Sequence, residues 1–311
     1  MAVADAARPF VSVVVPVFNG AETIGACLTA LLAQDYPSDR REIIVVDNNS
    51  TDGTAAIVQT FAVRYVREEQ VQSSYAARNR GIREARGELI AFTDADCVAS
   101  PQWLRRGAAG FANASVGGVA GSIRPLPPAT LAQRYASEKG ALSQEKALAE
   151  NSFLPAAYTA NAFYPKVALE RAGLFDPMVK SGGDADLAWR VQERLGLSIA
   201  LCPDAVVQHE HRRTVRELLR QRRNYGYGSV LNYLKHRDRM GPRTLKHAYW
   251  ELRAFTGKCG AWLRSVLRRL RRPRDAQARE RMALDGLDVL VFLAKKAGQL
   301  HAAVAHRVWY F

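Results

Sequence analysis

Residues 88–96 read Glu-Leu-Ile-Ala-Phe-Thr-Asp-Ala-Asp, an apolar run that ends in two carboxylates one residue apart. The run is typical of a buried strand, on which side chains two positions apart project to the same side. Neighbouring carboxylates repel each other unless a cation lies between them. A hard divalent ion prefers oxygen ligands and keeps positions open for water and phosphate. The pattern therefore predicts a divalent-metal site at Asp94 and Asp96, with a solvated turn or a helix cap as the alternative.

Strand and helix patterns alternate on the N-terminal side of this run. The continuous β-branched segment Val11–Val17 is typical of a strand buried on both faces. Similar reasoning predicts strands at 42–46, 64–66 and 88–92, alternating with helices at 21–34, 54–62 and 74–85. We therefore expect an α/β fold with a mostly parallel sheet and helices on both faces. Ligands of such a sheet bind at the carboxyl ends of its strands, which are marked here by Asn19, Asp47, Asp94 and Asp96.

The C-terminal side of the run is less regular. The pattern predicts a strand at 117–123, a helix at 131–148, a strand followed by a helix over 163–174, a helix at 184–195 and a strand at 198–201. Beyond Arg212 the pattern is helical, and the segment Arg271-Arg272-Pro273-Arg274 divides that region into two helical parts.

Charge divides the 311-residue chain near residue 211. Residues 212–311 hold 24 Lys and Arg against 7 Asp and Glu, whereas residues 1–211 hold 20 against 23. This asymmetry predicts a catalytic domain over 1–211 and a basic, mainly helical extension over 212–311. A basic region can bind nucleic acid, an anionic membrane surface or an acidic substrate.

Cysteine spacing and hydropathy indicate the compartment. The four cysteines are scattered along the chain, which favours a reducing cytosol over a disulfide framework. Residues 1–9 contain no apolar signal core, and no stretch approaches ~18 uninterrupted apolar residues. We expect a cytoplasmic protein that neither spans a membrane nor is exported.

Five short motifs follow one another along the chain. They are Val13–Asn19, Val45–Thr54, Ala77–Gly81, Phe92–Asp96 and Gly182–Arg190. As an ordered set, they resemble the motifs of family 2 glycosyltransferases, over roughly residues 10–235. The resemblance implies a GT-A fold, a nucleotide-diphosphate sugar donor and usually a Mg²⁺ or Mn²⁺ ion. It also implies sugar transfer with inversion at the anomeric carbon.

The resemblance assigns metal and base recognition to the strand ends. Asp96 is the expected direct metal ligand, with Asp94 nearer the ribose or the water shell of the metal. Asp47 is expected to read a uracil base, since a carboxylate can accept a hydrogen bond from a base N–H. Pro16 and Phe18 would form the wall beside the base, although Phe18 is equally compatible with the core.

The loops that follow these strands carry further candidates. Asn19 and Asn49 are expected to contact the nucleotide, and the alternative for Asn49 is a turn that caps the next helix. We interpret Asp52 as part of that cap.

Two arginines are candidates for donor binding. Arg78 can offer a forked donor to the nucleotide or orient a carboxylate, and its alternative is a surface ion pair with Glu84 or a similar residue. Arg222 lies in Gln221–Gly228, which resembles the segment that closes over the donor phosphates in relatives. That segment departs from the Q-x-x-R-W form of processive synthases, which favours transfer of a single sugar. Its alternative is a basic helix on an anionic surface.

An inverting transfer needs a base that takes the proton from the acceptor hydroxyl. Asp184 is the candidate because Gly182-Gly183 allows close approach at a helix start, although an Asp here also suits helix capping. The family commonly has Glu where this chain has Gly183, and that departure puts the acceptor contact in doubt. Asp186 is the second candidate for the base.

His209 is a candidate to complete the metal shell, slightly ahead of His211. A structural histidine is the alternative for both. The set formed with Asp94 and Asp96 is not expected to bind zinc, because it offers no H-x-x-x-H helix and no cysteine partner.

The leading hypothesis is an inverting, metal-dependent glycosyltransferase. It moves a sugar from a nucleotide-diphosphate sugar, for which a UDP-sugar is favoured, to a hydroxyl of a glycan or lipid-linked acceptor.

Basic clusters and apolar residues alternate over 212–311, which is consistent with peripheral attachment to the cytoplasmic membrane face. Packing on the enzyme or on a second subunit is the alternative for this region. A nucleotidyltransferase acting on a sugar phosphate is the second class, but 16–20 is not a Gly-rich, basic phosphate loop. Nucleic-acid binding is disfavoured because no recognition motif is present.

Overall fold

The computed structural model describes residues 8–149 and 153–310. Internal contacts divide the chain into two compact units. The catalytic unit comprises residues up to Leu126 and Leu142–Glu210, and the C-terminal unit comprises Pro127–Ala141 together with the residues from His211 onward. The assignment of domains to 1–211 and 212–311 stays a prediction, and this division differs from it in placing 127–141 with the C-terminal helices. Residues 1–7, which bear on the argument about a signal core, lie outside the described part.

One eight-stranded sheet organises the catalytic unit. Its strands lie in the order β3-β2-β1-β4-β7-β6-β8-β5. In chain order they are β1 Val11–Val17, β2 Arg41–Asp47, β3 Arg64–Arg67, β4 Leu89–Thr93, β5 Cys97–Ala99, β6 Val116–Pro125, β7 Asn161–Pro165 and β8 Ser198–His209.

The N-terminal half of the sheet is parallel, as the alternating pattern predicts. β1 pairs in parallel with both β2 and β4, and all seven of its residues are buried. Val17 lies opposite Asp47 in this register, so the loops that follow β1 and β2 leave the sheet side by side. A run of β-branched residues suits this position because both faces of the strand are covered.

The other half of the sheet is mixed. β7 runs antiparallel to β4 and β6, and β5 runs antiparallel to β8. The sequence did not indicate β5, and β8 continues well past the predicted end at residue 201. Buried hydrogen bonds hold this region together, since Asn161 accepts from the Trp103 indole at 2.8 Å and donates to the carbonyls of Ser122 and Ala205.

Among the described residues up to 195, eight α-helices flank or follow these strands. They are α1 Ile24–Leu32, α2 Thr54–Val58, α3 Ser74–Glu84, α4 Trp103–Ala109, α5 Leu131–Glu138, α6 Gln144–Ala149, α7 Lys166–Ala172 and α8 Gly183–Leu195. The single helix predicted at 131–148 is in fact two, α5 and α6, because Gly140 and Leu142 between them adopt positive φ. α4 was not predicted, and α2 ends earlier than predicted.

Close packing places α3 directly against β1. A Cβ built on Gly81 would lie 2.4 Å from Cγ1 of Val14, so only glycine fits there. The motif residues Arg78 and Asn79, which precede Gly81, are buried on the same helix. Tight contact at Gly81 therefore fixes the position of Arg78 relative to the sheet.

The C-terminal unit is helical, as its sequence predicts. Its three long helices are α9 Val215–Met240, α10 Leu245–Arg271 and α11 Ala276–Ala305. The helical conformation is interrupted between α10 and α11 at the predicted Arg-Arg-Pro-Arg segment. It is also interrupted between α9 and α10 at Gly241. Within the described residues, no helix combines the length and the apolar character needed to cross a bilayer.

Candidate active site

The loops after β1 and β2 are joined by side-chain hydrogen bonds. Asn19, at positive φ, accepts from the backbone N–H of Thr51 at 2.8 Å. Asp52 accepts from the backbone N–H groups of Ala21 and Thr54, at 3.1 and 3.0 Å. Asp52 therefore anchors the start of α2, in agreement with its interpretation as part of a cap. Asn19 shapes the loop, and its contact with a nucleotide stays a prediction.

Asp47 lies buried at the end of β2. One carboxylate oxygen accepts from the backbone N–H of Ser50 at 2.9 Å and the other from the Tyr65 hydroxyl at 2.6 Å. Burial and the bond to Asp47 raise the pKa of Tyr65 to about 12. The Asp47 side chain is thus held in one orientation, and its recognition of a base stays a prediction. Asn49, next but one along the chain, adopts positive φ in the turn that follows.

Two apolar residues precede this loop pair. Pro16 is buried within β1, whereas Phe18 is 54% exposed. The alternative that Phe18 belongs to the core is therefore wrong. An exposed aromatic ring beside the strand ends is available to stack on a planar ligand.

Asp94 forms an ion pair with the buried side chain of Arg78. β4 ends at Thr93, so Asp94–Asp96 lies in a turn and not on the strand itself. The Arg78 guanidinium donates to Asp94 at 2.5 Å, and Arg78 is only 5% exposed. The suggested surface pair with Glu84 is wrong, because Glu84 pairs with Arg64 and Arg80 instead. Burial lowers the pKa of Arg78, but Asp94 and Asp184 outweigh it and raise the pKa above its usual value.

Asp96 lies beside His209. The two side chains approach to 3.5 Å, and the Asp96 carbonyl accepts from the backbone N–H of Glu210 at 3.0 Å. Pairing of β5 with β8 brings this about, since Cys97 lies opposite His209 in the register. One ligand atom each from Asp96, Cys97 and His209 lie within 4.8 Å of one another. Asp94 does not belong to that group, so the two carboxylates of the turn have different partners.

Cys97 corrects the expectation that no cysteine adjoins this cluster. Its position immediately after Asp96 was the available signal. Burial, Asp96 and Asp94 raise the pKa of the Cys97 thiol well above its usual value. The Asp96 carboxylate and the His209 imidazole offer an oxygen and a nitrogen donor beside this thiol. An oxygen and nitrogen pair suits Mn²⁺, and the carboxylate alone suits Mg²⁺.

Asp184 stands at the start of α8 with three defined neighbours. It accepts from the backbone N–H of Thr159 at 3.2 Å and hydrogen-bonds to the Tyr75 hydroxyl. Burial raises its pKa above the usual value, opposed by Arg78 and by these two hydrogen bonds. The N-cap residue is Gly182, at φ 85°, and Asp184 lies in the first turn of the helix. This position suits a carboxylate at a helix N-terminus, and the role of Asp184 as a base stays a prediction.

Tyr75 occupies the space that a side chain at position 183 would fill. Its hydroxyl accepts from the backbone N–H of Gly183 at 3.0 Å, and a Cβ on Gly183 would lie 2.8 Å from its Cζ. Its ring stacks on Phe175 at 5.4 Å, and Asn79 bonds to the backbone N–H and carbonyl of Phe175. Reasoning from the sequence missed Tyr75, although it lies three residues before Arg78 on the same helix face.

Asp186, the second candidate for the base, is committed elsewhere. It is 2% exposed and accepts from Nε and Nη2 of Arg190 at 3.2 and 2.8 Å. Arg190 also donates to the carbonyls of Ala172 and Leu174. This arrangement fastens α8 to the end of α7, and it argues against Asp186 as a base.

Arg222 and His211 belong to the C-terminal unit. The Arg222 guanidinium lies over the Tyr225 ring at 5.3 Å, and the His211 carbonyl accepts from the Gln133 amide at 3.2 Å. Binding of the donor phosphates by Arg222 stays a prediction.

Carboxylates gather near the strand ends together with Arg78 and His209. This arrangement agrees with a match to a known family. The sequence profile described as Glycosyl transferase family 2 matches residues 12–172, which is more than half of the chain. The chain belongs to this family. It is 35% identical over 268 residues to glycosyltransferase AglE of Haloferax volcanii, covering 84% of this chain and 86% of AglE.

A second relative has a name that includes a dolichyl phosphate substrate. This relative is the dolichyl N-acetyl-alpha-D-glucosaminyl phosphate 3-beta-D-2,3-diacetamido-2,3-dideoxy-beta-D-glucuronosyltransferase of Methanococcus voltae. It is 22% identical over 231 residues, covering 70% of this chain and 72% of that protein.

A solved structure shows the fold. The mannosyltransferase PcManGT from Pyrobaculum calidifontis, in complex with GDP-Man and Mn²⁺, matches with a TM-score of 0.66 at 22% identity. The match covers 95% of this chain and 88% of PcManGT. The GT-A fold predicted from the sequence is thus confirmed, as is membership of the glycosyltransferases. The family uses nucleotide sugars, and nothing in these comparisons supports the nucleotidyltransferase alternative.

Proposed function

We propose that this protein is an inverting, metal-dependent glycosyltransferase that moves one sugar from a nucleotide diphosphate to a hydroxyl of a glycan or lipid-linked acceptor. The observation that carries the proposal is that two carboxylates have different neighbours. Asp96 lies beside His209, and Asp184 hydrogen-bonds to Tyr75. Asp184 adjoins the ion pair of Arg78 and Asp94, since Arg78 interacts electrostatically with both carboxylates, and Asp96 follows Asp94 in the same turn. These surroundings support a metal site at Asp96 and a base at Asp184.

The residues present fit a divalent metal. Asp96 and His209 would hold Mn²⁺ or Mg²⁺, and their 3.5 Å approach shows that their donor atoms converge. A bound ion at this position supplies positive charge that stabilises a departing diphosphate. The Arg78 guanidinium holds one carboxylate oxygen of Asp94, which leaves the second oxygen to accept from a ribose hydroxyl.

Asp184 is the proposed base. It takes the proton from the acceptor hydroxyl as that oxygen bonds to the anomeric carbon and the bond from carbon to phosphate oxygen breaks. Attack opposite the leaving group inverts the configuration. Burial raises the pKa of Asp184, which strengthens it as a base, while Tyr75 and the Thr159 N–H keep it oriented.

We also propose the donor and acceptor classes. Asp47, Asn49, Pro16 and Phe18 would bind the base, for which uracil is the leading expectation. The Methanococcus voltae relative, named for a dolichyl phosphate substrate, supports a lipid-linked acceptor. Such an acceptor would place the protein at the cytoplasmic face of a membrane.

Ligand screening and product analysis test this function. Thermal shifts are measured with UDP-, GDP- and dTDP-sugars, each with and without Mn²⁺, and the sugar that stabilises is then offered with a glycosyl-lipid acceptor. We expect stabilisation that needs both nucleotide sugar and metal, and a product whose anomeric configuration, read by NMR, is opposite to that of the donor. Retention of configuration, or equal binding after chelation, would contradict the proposal.

A further inference from the structure

One face of α10 carries large apolar side chains that are exposed to solvent. At 3.6 residues per turn, their spacing places them within one narrow stripe along ~40 Å of helix. The exposed fraction of each is between 47% and 80%. This apolar stripe consists of Leu245, Tyr249, Leu252, Leu263, Leu267 and Leu270.

The opposite face of α10 is fixed against α11. Lys258 pairs with Asp288 at 2.9 Å, the Phe255 and Phe292 rings stack at 5.4 Å, and Ser265 bonds to Asp285. These contacts prevent the helix from turning its apolar stripe inward. The exposure of the stripe is therefore built into the C-terminal unit.

Basic side chains border the apolar stripe. α10 contains seven Lys and Arg residues and one acidic residue, Glu251, which pairs with Arg243 and Lys296. Where α10 meets the start of α11, arginines line a recess of about 820 Å³. This arginine row consists of Arg264, Arg268, Arg271, Arg272 and Arg281.

We propose that the apolar stripe of α10 and the adjoining arginine row form a docking surface for an anionic lipid bilayer, with the leucines among the headgroups and the arginines on lipid phosphates. Leucines beside guanidinium groups match the apolar and anionic layers of such a surface. Trp250, 52% exposed beside the stripe, suits the same depth. The proposal rests on the proposed function, because transfer to a lipid-linked acceptor gives the enzyme a reason to dock there.

Two other occupants fit this surface less well than a bilayer does. The stripe spacing would also suit a coiled-coil seam, but a second copy would bring its own arginines against this row and repel it. Nucleic acid would satisfy the arginines, but it offers nothing to six exposed apolar side chains. The bilayer satisfies both parts of the surface.

Flotation of the full-length protein with lipid vesicles tests the proposal. The vesicles are phosphatidylcholine alone or phosphatidylcholine mixed with phosphatidylglycerol. Two triple variants are compared with the unchanged protein: L263Q/L267Q/L270Q removes part of the stripe, and R264Q/R268Q/R271Q removes part of the row. Matched controls are L290Q/L293Q/L300Q, which changes exposed leucines of α11, and R216Q/R237Q/R279Q, which removes the same charge elsewhere.

We expect the unchanged protein to bind only the anionic vesicles. Each α10 variant should lose affinity on the order of 100-fold, since each surface arginine and each inserted leucine contributes a several-fold factor. Both controls should bind as the unchanged protein does. Equal binding by the α10 variants, equal loss in the controls, or a dimer that the stripe variant dissociates in ultracentrifugation would overturn the proposal.

Calorimetry separates this surface from the proposed function. Circular dichroism first confirms that each variant is folded, and nucleotide-sugar binding is then titrated in the absence of lipid. We expect the α10 variants to bind the nucleotide sugar as the unchanged protein does. Normal sugar binding without vesicle binding would refute only the docking surface, whereas vesicle binding by a protein that binds no nucleotide sugar would refute the proposed function.

Discussion

The tripeptide Asp-Ala-Asp occurs twice in this chain, at 94–96 and at 184–186, with different surroundings. The first copy lies in a turn after β4, where Asp94 pairs with Arg78 and Asp96 approaches His209. The second copy opens α8, where Asp184 is held by Tyr75 and Thr159 and Asp186 is locked to Arg190. The same three residues thus offer a metal ligand in one place and a base in the other. Partners from other elements decide which carboxylate does chemistry.

The largest expected effect comes from Asp184→Asn. Removing a general base should lower kcat by about 10²–10⁴-fold, with little change in nucleotide-sugar binding. Initial rates and calorimetric titration of the same protein measure the two quantities. Because burial raises the pKa of Asp184, the neutral amide should cost the fold little stability. Turnover at the normal rate would exclude Asp184 as the base.

Asp186→Asn should affect stability and not chemistry. Arg190 would stay buried without its counter-charge, and breaking a buried pair lowers the free energy of unfolding by about 3–5 kcal/mol. Urea unfolding of the Asp186→Asn and Asp184→Asn proteins, side by side, measures the difference. A stable Asp186→Asn enzyme that has lost turnover would reverse the roles of the two residues.

Asp96→Asn sharpens the contrast within the first copy. Loss of a direct ligand should weaken Mn²⁺ binding by more than about 100-fold, since even supporting residues contribute 10–100-fold. Asp94→Asn, the matched control, should keep most of the metal affinity and weaken nucleotide-sugar binding instead. Metal titration followed by calorimetry or Mn²⁺ paramagnetic resonance distinguishes the two. Identical losses in both variants would show that the carboxylates share one role.

Tyr75→Phe should give the smallest change. A hydrogen bond to a charged group contributes about 1.5 kcal/mol or more, so kcat should fall about tenfold. The Tyr75 hydroxyl lowers the pKa of Asp184, so its removal raises that pKa. Asp184 must be ionised to act, and the acid limb of the rate profile should therefore move to higher pH. A fall in rate with an unmoved acid limb would assign Tyr75 to packing alone.

Local patterns predicted the parallel half of the sheet well, because β1, β2 and β4 each contain a continuous apolar run close to turn residues. β5 is only three residues long, and its pairing with β8 is a contact between segments 110 residues apart, which no local pattern encodes. The candidate residues followed from the ordered motifs. Their partners did not, since Arg78 meets Asp94 and Tyr75 meets Gly183 only after α3 packs on the sheet. Cys97 was visible in the sequence, but its closeness to His209 depends on strand pairing.

Residues 127–141 belong to the C-terminal unit although they precede much of the catalytic unit in the chain, and this affects any attempt to shorten the protein. α5 lies within the C-terminal unit, where Tyr135 packs with Leu284 and Leu287 and its hydroxyl donates to Asp288 at 2.7 Å. Truncation of the protein after residue 211 would keep the sheet but would remove the apolar side chains against which α5 packs. The truncated protein would expose the apolar face of α5 to solvent and would tend to aggregate. A minimal enzyme is better sought by replacing residues 127–141 with a short polar linker at the same time.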